Sequence, residues 1–526
     1  MEIPATPGER AKIAEEASRR LSPVDAAFLY LERKEIPLAI ASVFVFDGPI
    51  SFDQFLASIA SRLHLIPRYR QVVVMPPYNL GYPTWEDDPT FDIRRHIFRV
   101  SVDPPGGEAE LEDLAGRIFT QLLDRTKPLW ECYVVEGLQD GRGAVIVRLH
   151  HSLADGIAGV GLVNLLLDTS PEGSDHSRRH RHRPRKTPPA PSLIDAIASA
   201  IDTSLQGLMA AEAAMLSLAQ DLLSNPTRVK DLAGALPELA ASVERLPFNK
   251  PCTGDRKFCW AQFDIADMAA IRDIAGATIN DVILSVLTRA LARYVKLHGQ
   301  TVVNRYVRIV CPVNLRRDEP SGVLGNQISF MPVALPLDVS DPLLMLKGVA
   351  ARTEVMKRGQ AADVVALLAS CIAAAPPPLQ ALFWWGIPQI TLPVPLFNMI
   401  CTNVPGSRVP LYSLGRRLIA AYPQVPTGYE LGINVAVQSY DGKLFFGLIA
   451  DAHVAPDVRR LRDFLYVSFR ELCRSAGIKK PARKVQAPRP KSQPVEAAPT
   501  VAAEPEPERP AVAPPAIDIS HHKAVA

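Results

Sequence analysis

A chain of 526 residues is too long for one ordinary core, and its 48% hydrophobic and 21% charged residues are those of a folded globular protein. Lys plus Arg exceed Asp plus Glu by 58 − 55 = 3, which leaves no general excess of positive charge for a nucleic-acid partner. Cys132, Cys252, Cys259, Cys311, Cys371, Cys401 and Cys473 are widely spread, odd in number and free of any C-x-x-C pair, so they read as buried thiols in a reducing compartment.

The N-terminus, MEIPATPGERAKIAEEASRR, is polar where a signal peptide needs an apolar segment, which points to the cytoplasmic side. From about 20 to 171, helical patterns alternate with strand-like ones, among them AIASVFVFDG and ECYVVEGLQDGRGAVIVRLHH; residues 1–171 read as a mixed α/β domain. PEGSDHSRRHRHRPRKTPPAPS then breaks all periodicity as a linker carries Arg178, Arg179, Arg181, Arg183, Arg185 and Lys186. It reads as a solvated loop, with contact to anionic lipid or phosphates as the alternative. Alanine-rich helical spacing from about 192 to 245 predicts a long connector, so linker and connector fill residues 172–255.

Residues 256–476 form a second α/β block. IRDIAGATINDVILSVLTRALARYVKLHG reads as a helix, a turn at Gly276 and a longer helix. YVRIVCPVNL, NQISFMPVALPL, LGINVAVQSYDG and LFFGLIADAHV alternate as strands, with a hairpin at Tyr440, Asp441, Gly442 and Lys443 and a closing helix near VRRLRDFLYVSFRELCRSAG. No charged residue occurs from Val364 to Ser407, and prolines leave no run near the ~20 residues of a spanning helix. Two readings stand for it: a buried core helix followed by an extended strand, or an interfacial patch using Phe383, Trp384 and Trp385. Residues 477–526 are rich in Pro, Ala, Glu and Lys with few aliphatics, the composition of a disordered tail.

The stretch VRLHHSLADGIAG, residues 147–159, ends an apolar strand in two histidines followed by an Asp-Gly pair. Alternation places His151 with Val145, Val147 and Leu149, and His150 on the opposite face with Ile146 and Arg148, if the strand persists to its end. Four readings compete: a plain strand-turn-helix junction capped by Asp155, a metal site from His151 and Asp155, a serine nucleophile at Ser152, and a histidine general base. The metal reading supplies two ligands only, and the nucleophile reading lacks any G-x-S-x-G. The base reading has a chemical rationale, because moving an acyl group from a thioester to an alcohol requires removal of the hydroxyl proton, and neutral imidazole suits this near pH 7.

HHSLADG matches H-H-x-x-x-D-G, and in this the chain resembles the bacterial wax ester synthase/diacylglycerol acyltransferase family of CoA-dependent acyltransferases. LSPVDAAFLYLE at Leu21 to Glu32, the block PTWEDDPTFDIRRHI from Pro83, Pro128-Leu129-Trp130, Asn280-Asp281, Gly325-Asn326, Asn403-Val404-Pro405-Gly406 and NVAVQSYDGKLFFGLIAD extend the resemblance along nearly the whole folded length, in the family's order. It implies an α/β fold of two chloramphenicol-acetyltransferase-like domains joined by a helical connector, with a reaction channel between them. His151 matches the general base and His150 a supporting position; Asp155 is implied to hold the loop, with Arg316 as candidate partner. Gly156, Asn280, Asp281 and Trp130 are the candidate substrate or oxyanion residues. Local roles compete for three of them: core packing for Trp130, a helix cap for Asn280 and a first-turn position for Asp281.

The implied reaction joins a long-chain acyl group from acyl-CoA to diacylglycerol, or to a fatty alcohol, with acyl-CoA as co-substrate and neither metal nor further cofactor. The implied setting is the surface of a membrane or lipid droplet. Two other readings stand beside it: a lipid-surface binding protein that has kept the fold and lost turnover, and acyl transfer to a more specialised hydroxylated lipid or from a carrier-bound donor. Cys311 and Asn314 in CPVNLRRDE depart from the family's usual small residues, and the connector is longer than the family minimum; both leave chain length and alcohol open.

Overall fold

In the computed structural model, which describes residues 19–153, 167–173, 193–240, 243–314, 328–391 and 393–478, the alternating segments gather into two six-stranded sheets. Asp155, Gly156, Arg316, Gly325, Asn326, nearly all of the basic linker and the tail lie outside the described residues.

The first lobe contains α1 (Pro23–Leu31), β1 (Ala39–Phe46), α2 (Phe52–Arg62), a small pair of strands β2 (Gln71–Val74) and β3 (Thr84–Asp87), β4 (Ile97–Ser101), α3 (Glu108–Thr120), β5 (Trp130–Glu136) and β6 (Gly143–His150). Helix α1 starts where Ser22 accepts the Asp25 backbone N–H at 3.1 Å and Pro23 takes the first helical position, a combination that favours helix initiation. All eight residues of β6 are buried. That includes Arg148, whose guanidinium meets Glu131 at 2.5 Å and donates to the Ile118 carbonyl at 2.9 Å. Glu131 is held in turn by Lys127 at 3.0 Å and the Tyr133 hydroxyl at 2.6 Å, so the buried charge is compensated and β6 is tied to the end of α3.

The connector forms as its spacing predicts, as α4 (Leu193–Ser224) and α5 (Pro226–Ala240). The remainder is β7 (Arg256–Asp264), α6 (Ile265–Ala275), α7 (Ile279–Leu297), β8 (Tyr306–Asn314), β9 (Ile328–Pro336), α8 (Pro342–Arg358), α9 (Ala361–Ala373), α10 (Pro377–Gly386), β10 (Met399–Val404), β11 (Tyr412–Ser413), β12 (Arg416–Gln424), β13 (Ile433–Tyr440), β14 (Lys443–Asp451) and α11 (Val458–Ser475). The β13–β14 hairpin turns at Asp441 and Gly442, both at positive φ, as its sequence predicts.

The second sheet runs β7-β14-β13-β10-β8-β9 and the first runs β11-β12-β1-β6-β5-β4. Strands β11 and β12, from the block read as the second domain, therefore complete the first sheet, with Ala41 opposite Gln424 in an antiparallel ladder. The lobes are also pinned by Glu112 on α3, which accepts the Trp260 backbone N–H at 3.2 Å and meets Arg459 at 2.8 Å.

The charge-free segment differs from its core-helix reading. It forms α9 and α10, bent by 117° between Ala362–Ala373 and Pro377–Gln389, with Leu368, Leu379, Leu382 and Trp385 on the outside. The bend follows from Pro376, Pro377 and Pro378, which cannot continue α9 but suit the first turn of α10. Among the described residues no single helix is long and apolar enough to cross a membrane.

Candidate active site

Strand β6 stops at His150, and residues 151–153 form a turn. Alternation therefore ends one residue before His151, and the two imidazoles meet the same helix one turn apart instead of diverging. The His151 ring stacks on Phe28 of α1, centroids 4.1 Å apart and planes 13° apart. His150 Nε2 lies 3.3 Å from Glu32 Oε1, just past the end of α1. Two backbone bonds clamp the pair: the His150 N–H donates to the Leu129 carbonyl and the His151 N–H to the Leu38 carbonyl, each at 2.9 Å.

His150 is completely buried. Its Nδ1 lies 3.1 Å from the Ser152 backbone N, and its Nε2 faces Glu32. That contact is close but poorly aligned, an electrostatic pairing more than a hydrogen bond. Glu32 also accepts the Leu38 N–H at 3.2 Å and Arg125 Nη2 at 3.0 Å. Burial by itself raises the Glu32 carboxyl, but His150 and Arg125 outweigh it and hold the group down at about 2. Ser152 Oγ sits 2.6 Å from His150 Nδ1, so hydroxyl, imidazole and carboxylate form a chain like that of a nucleophilic triad. Ser152 is 2% exposed, and among the described residues neither it nor His150 lines the cavity that His151 lines, a setting unlike that of an exposed nucleophile.

His151 opens instead onto a cavity of about 440 Å³, walled by α1, α9, α10 and the loop after β12. Among the described residues no Asp, Glu, Lys or Arg lines it. Its polar side chains direct their hydrogens into the protein: Gln380 to the Ala373 and Ala375 carbonyls, Thr427 to Leu431, Tyr429 to Ile390 and Asn434 to Pro426. The space that remains is apolar, with one imidazole at its edge, a setting for an aliphatic chain next to a proton acceptor.

Trp130 belongs to the core and is absent from that wall. Its ring lies between His96, at 4.5 Å, and Tyr69, at 4.9 Å, while its Nε1 donates to the Tyr69 carbonyl at 2.8 Å. Within Pro128-Leu129-Trp130 it is the Leu129 carbonyl that receives the His150 N–H. The cap of α7 is Thr278, and Asn280 is the second helical residue. Asp281 is fully engaged: one carboxylate oxygen accepts the Thr278 N–H at 2.8 Å and the other the Thr353 hydroxyl at 2.6 Å. Asn280 does not line the cavity; its side chain meets Cys311, next to Pro312, which does. Gly406 permits a close approach, since a Cβ there would lie 2.1 Å from the Ser439 carbonyl. Among the described residues no group of three His, Cys, Asp or Glu is placed to hold a metal ion. No motif in the sequence marks Phe28, Glu32 or Arg125 as site residues, although the first two lie in the opening segment from Leu21 to Glu32; the signal available is their i, i+4 spacing at the end of α1.

Comparison with known proteins bears on this geometry. The family model described as the wax ester synthase/diacylglycerol acyltransferase catalytic domain matches residues 21–283, and that of the corresponding C-terminal domain matches residues 324–473. The probable diacylglycerol O-acyltransferase tgs1 of Mycobacterium tuberculosis is 32% identical over 454 residues, 84% of this chain and 93% of that protein. The probable diacylglycerol O-acyltransferase tgs2 of the same species is 28% identical over 476 residues, 87% and 99% of the two chains. Among solved structures, the wax ester synthase/diacylglycerol acyltransferase from Marinobacter aquaeolei VT8 has a TM-score of 0.59 at 24% identity, covering 87% of this chain and 100% of its own. A starter condensation domain of rhizomide synthetase, in complex with C8-CoA, has a TM-score of 0.52 at 15% identity and covers 87% of this chain and 97% of its own. Both are likenesses of fold.

Proposed function

Because the chain belongs to the wax ester synthase/diacylglycerol acyltransferase family, and is an acyltransferase of its paired α/β fold, we propose that it transfers a long-chain acyl group from CoA to diacylglycerol at His151. The observation that carries this reading is one imidazole, stacked on Phe28, at the edge of a 440 Å³ apolar cavity. A ring nitrogen of His151 takes the hydroxyl proton as the alcohol oxygen bonds to the thioester carbonyl carbon. The carbon–sulfur bond of the tetrahedral intermediate then breaks, and the imidazolium returns the proton to the CoA thiolate. Gly156 is the candidate donor to the oxyanion, an interaction of about 3 kcal/mol in comparable sites, whereas Asn280, turned to Cys311 and away from the cavity, does not serve there. His150 and Glu32 act as positioning residues, holding the strand end from its buried side.

The exposed apolar face supports attachment to the surface of a membrane or lipid body. Leu368 on α9, Leu382 and Trp385 on α10, and Ile194, Met209 and Leu223 on α4 are all more than half exposed. Helix α4 lies against the end of α9 at Gly207, where a Cβ would be 3.0 Å from the Ala373 carbonyl. Such a face is costly in water and favourable in a lipid interface. Trp384 lines the cavity while Trp385 faces outward, so the patch and the reaction space are two sides of α10.

The test is thiol release from palmitoyl-CoA by the wild type and His151→Ala, with diacylglycerol or hexadecanol as acceptor and the lipid products separated. Ester formed by the wild type and lost in a folded variant supports the base. Equal rates in the two proteins would refute it, and a wax ester in place of triacylglycerol would overturn the choice of alcohol.

A further inference from the structure

A second cavity, of about 430 Å³, opens on the other side of α1 and is unlike the first. Leu29, Met75, Leu382 and Trp385 give it apolar walls, and Glu32 and Arg125 form its charged part. Glu32 is 2% exposed at its side chain, but Arg125 is 40% exposed. The guanidinium uses Nη2 on the Leu29 carbonyl, at 2.8 Å, and on Glu32, while its Nη1 makes no bond to any described residue. Tyr30, also on this wall, has a buried hydroxyl with no partner among the described residues, and burial followed by Tyr82 pushes its ionisation up to about 12, so it stays a proton donor.

We propose that this cavity is a second lipid site that takes a long-chain carboxylate, its head group on Arg125 and its chain along Leu29, Met75, Leu382 and Trp385. The unused Arg125 Nη1, not net charge, selects the head, since Nη2 is already paired with Glu32: a neutral lipid lying here would strip water from Nη1 without replacing the lost hydrogen bond, whereas a carboxylate supplies one that is charge-assisted. The walls select the tail, because a small inorganic anion would leave the apolar surface wet. Access fits as well, since Leu382 and Trp385 belong to the exposed apolar face and an amphiphile dissolved in a lipid surface meets the cavity mouth directly. The site lies outside the cavity that His151 lines, and its occupation does not depend on the reaction assigned there.

Tryptophan emission reads the proposal out. Trp85, Trp130 and Trp260 are buried, Trp384 faces the His151 cavity and Trp385 faces this one. A dibrominated stearate, whose bromines quench a nearby indole, is titrated into the full chain. Quenching should persist in Trp384→Phe and vanish in Trp385→Phe. In the Trp384→Phe background, Arg125→Gln should weaken binding by about tenfold or more, and the methyl ester of the same acid should fail to quench. The acid–ester comparison uses one folded protein and does not depend on how Arg125→Gln behaves. Quenching that follows Trp384 in place of Trp385 would put the ligand in the other cavity and overturn the proposal. Equal affinity for acid and ester would remove the role of Arg125 with the same effect.

Discussion

Helix α1 separates two cavities of nearly equal size, about 440 and 430 Å³, that differ in their chemistry. On one side His151 faces a space lined, among the described residues, by no charged side chain. On the other, Arg125 pairs with Glu32 beside the same helix, and Glu32 reaches the neighbouring His150. The difference shows how a strand end can be held by charge without placing charge where a neutral lipid must lie. A carboxylate in the reaction space would repel aliphatic substrate through its desolvation cost; moved behind α1 it still braces the adjacent residue.

The contrast can be broken most sharply from the cavity side. His151→Ala should lower ester formation by roughly 10²–10⁴-fold, the range for loss of a general base, with the fold intact by circular dichroism. From the charged side the effect should be smaller. Glu32→Gln should reduce kcat by roughly 10–100-fold with little change in KM, as expected of a positioning group; a change confined to KM would argue for direct substrate contact instead. The same variant has a pH signature. Because the Glu32 carboxyl is held at about 2 in the folded chain against 4.5 ordinarily, its contribution to stability is present above pH 4.5 and fades as pH falls toward 2. Acid unfolding of the wild type should show that loss over this window, and Glu32→Gln should show a shallower one.

Two further substitutions sharpen the comparison. Ala369, on α9, lines the His151 cavity, and Ala369→Phe should shift acyl preference from palmitoyl-CoA toward octanoyl-CoA by roughly tenfold in direct competition. An unchanged ratio would mean that the acyl chain lies elsewhere. Trp385→Ser should weaken flotation with liposomes only a few-fold, since many apolar side chains share that face; undiminished binding would remove the face from the membrane contact.

Much of this architecture is legible in the chain itself. The β13–β14 hairpin follows from alternation around an Asp-Gly turn, and the connector helices from their apolar spacing. Local rules fail where the deciding partner is distant. Nothing near Glu32 announces His150 as its neighbour, and nothing in the period of β6 says that the ladder stops one residue short of His151. Thr278, not Asn280, caps α7 because its side chain and Asp281 close a reciprocal box, which spacing alone leaves open. Composition leaves the charge-free segment open between a buried core helix and an interfacial patch, and it is the prolines that decide the outcome, bending it into two helices with an outward face, a geometry set by backbone chemistry and not by hydropathy.

The crossing of β12 into the first sheet has a consequence for biosynthesis. Strand β1 pairs on one side with β6 and on the other with residues up to Gln424, which emerge from the ribosome long after it. Until then one edge of an apolar strand waits without its partner, open to wrong pairing. The sheet that ends in His150 can close only after β12 has been made, and this non-local closure ties the maturation of the reaction centre to a strand far along the chain.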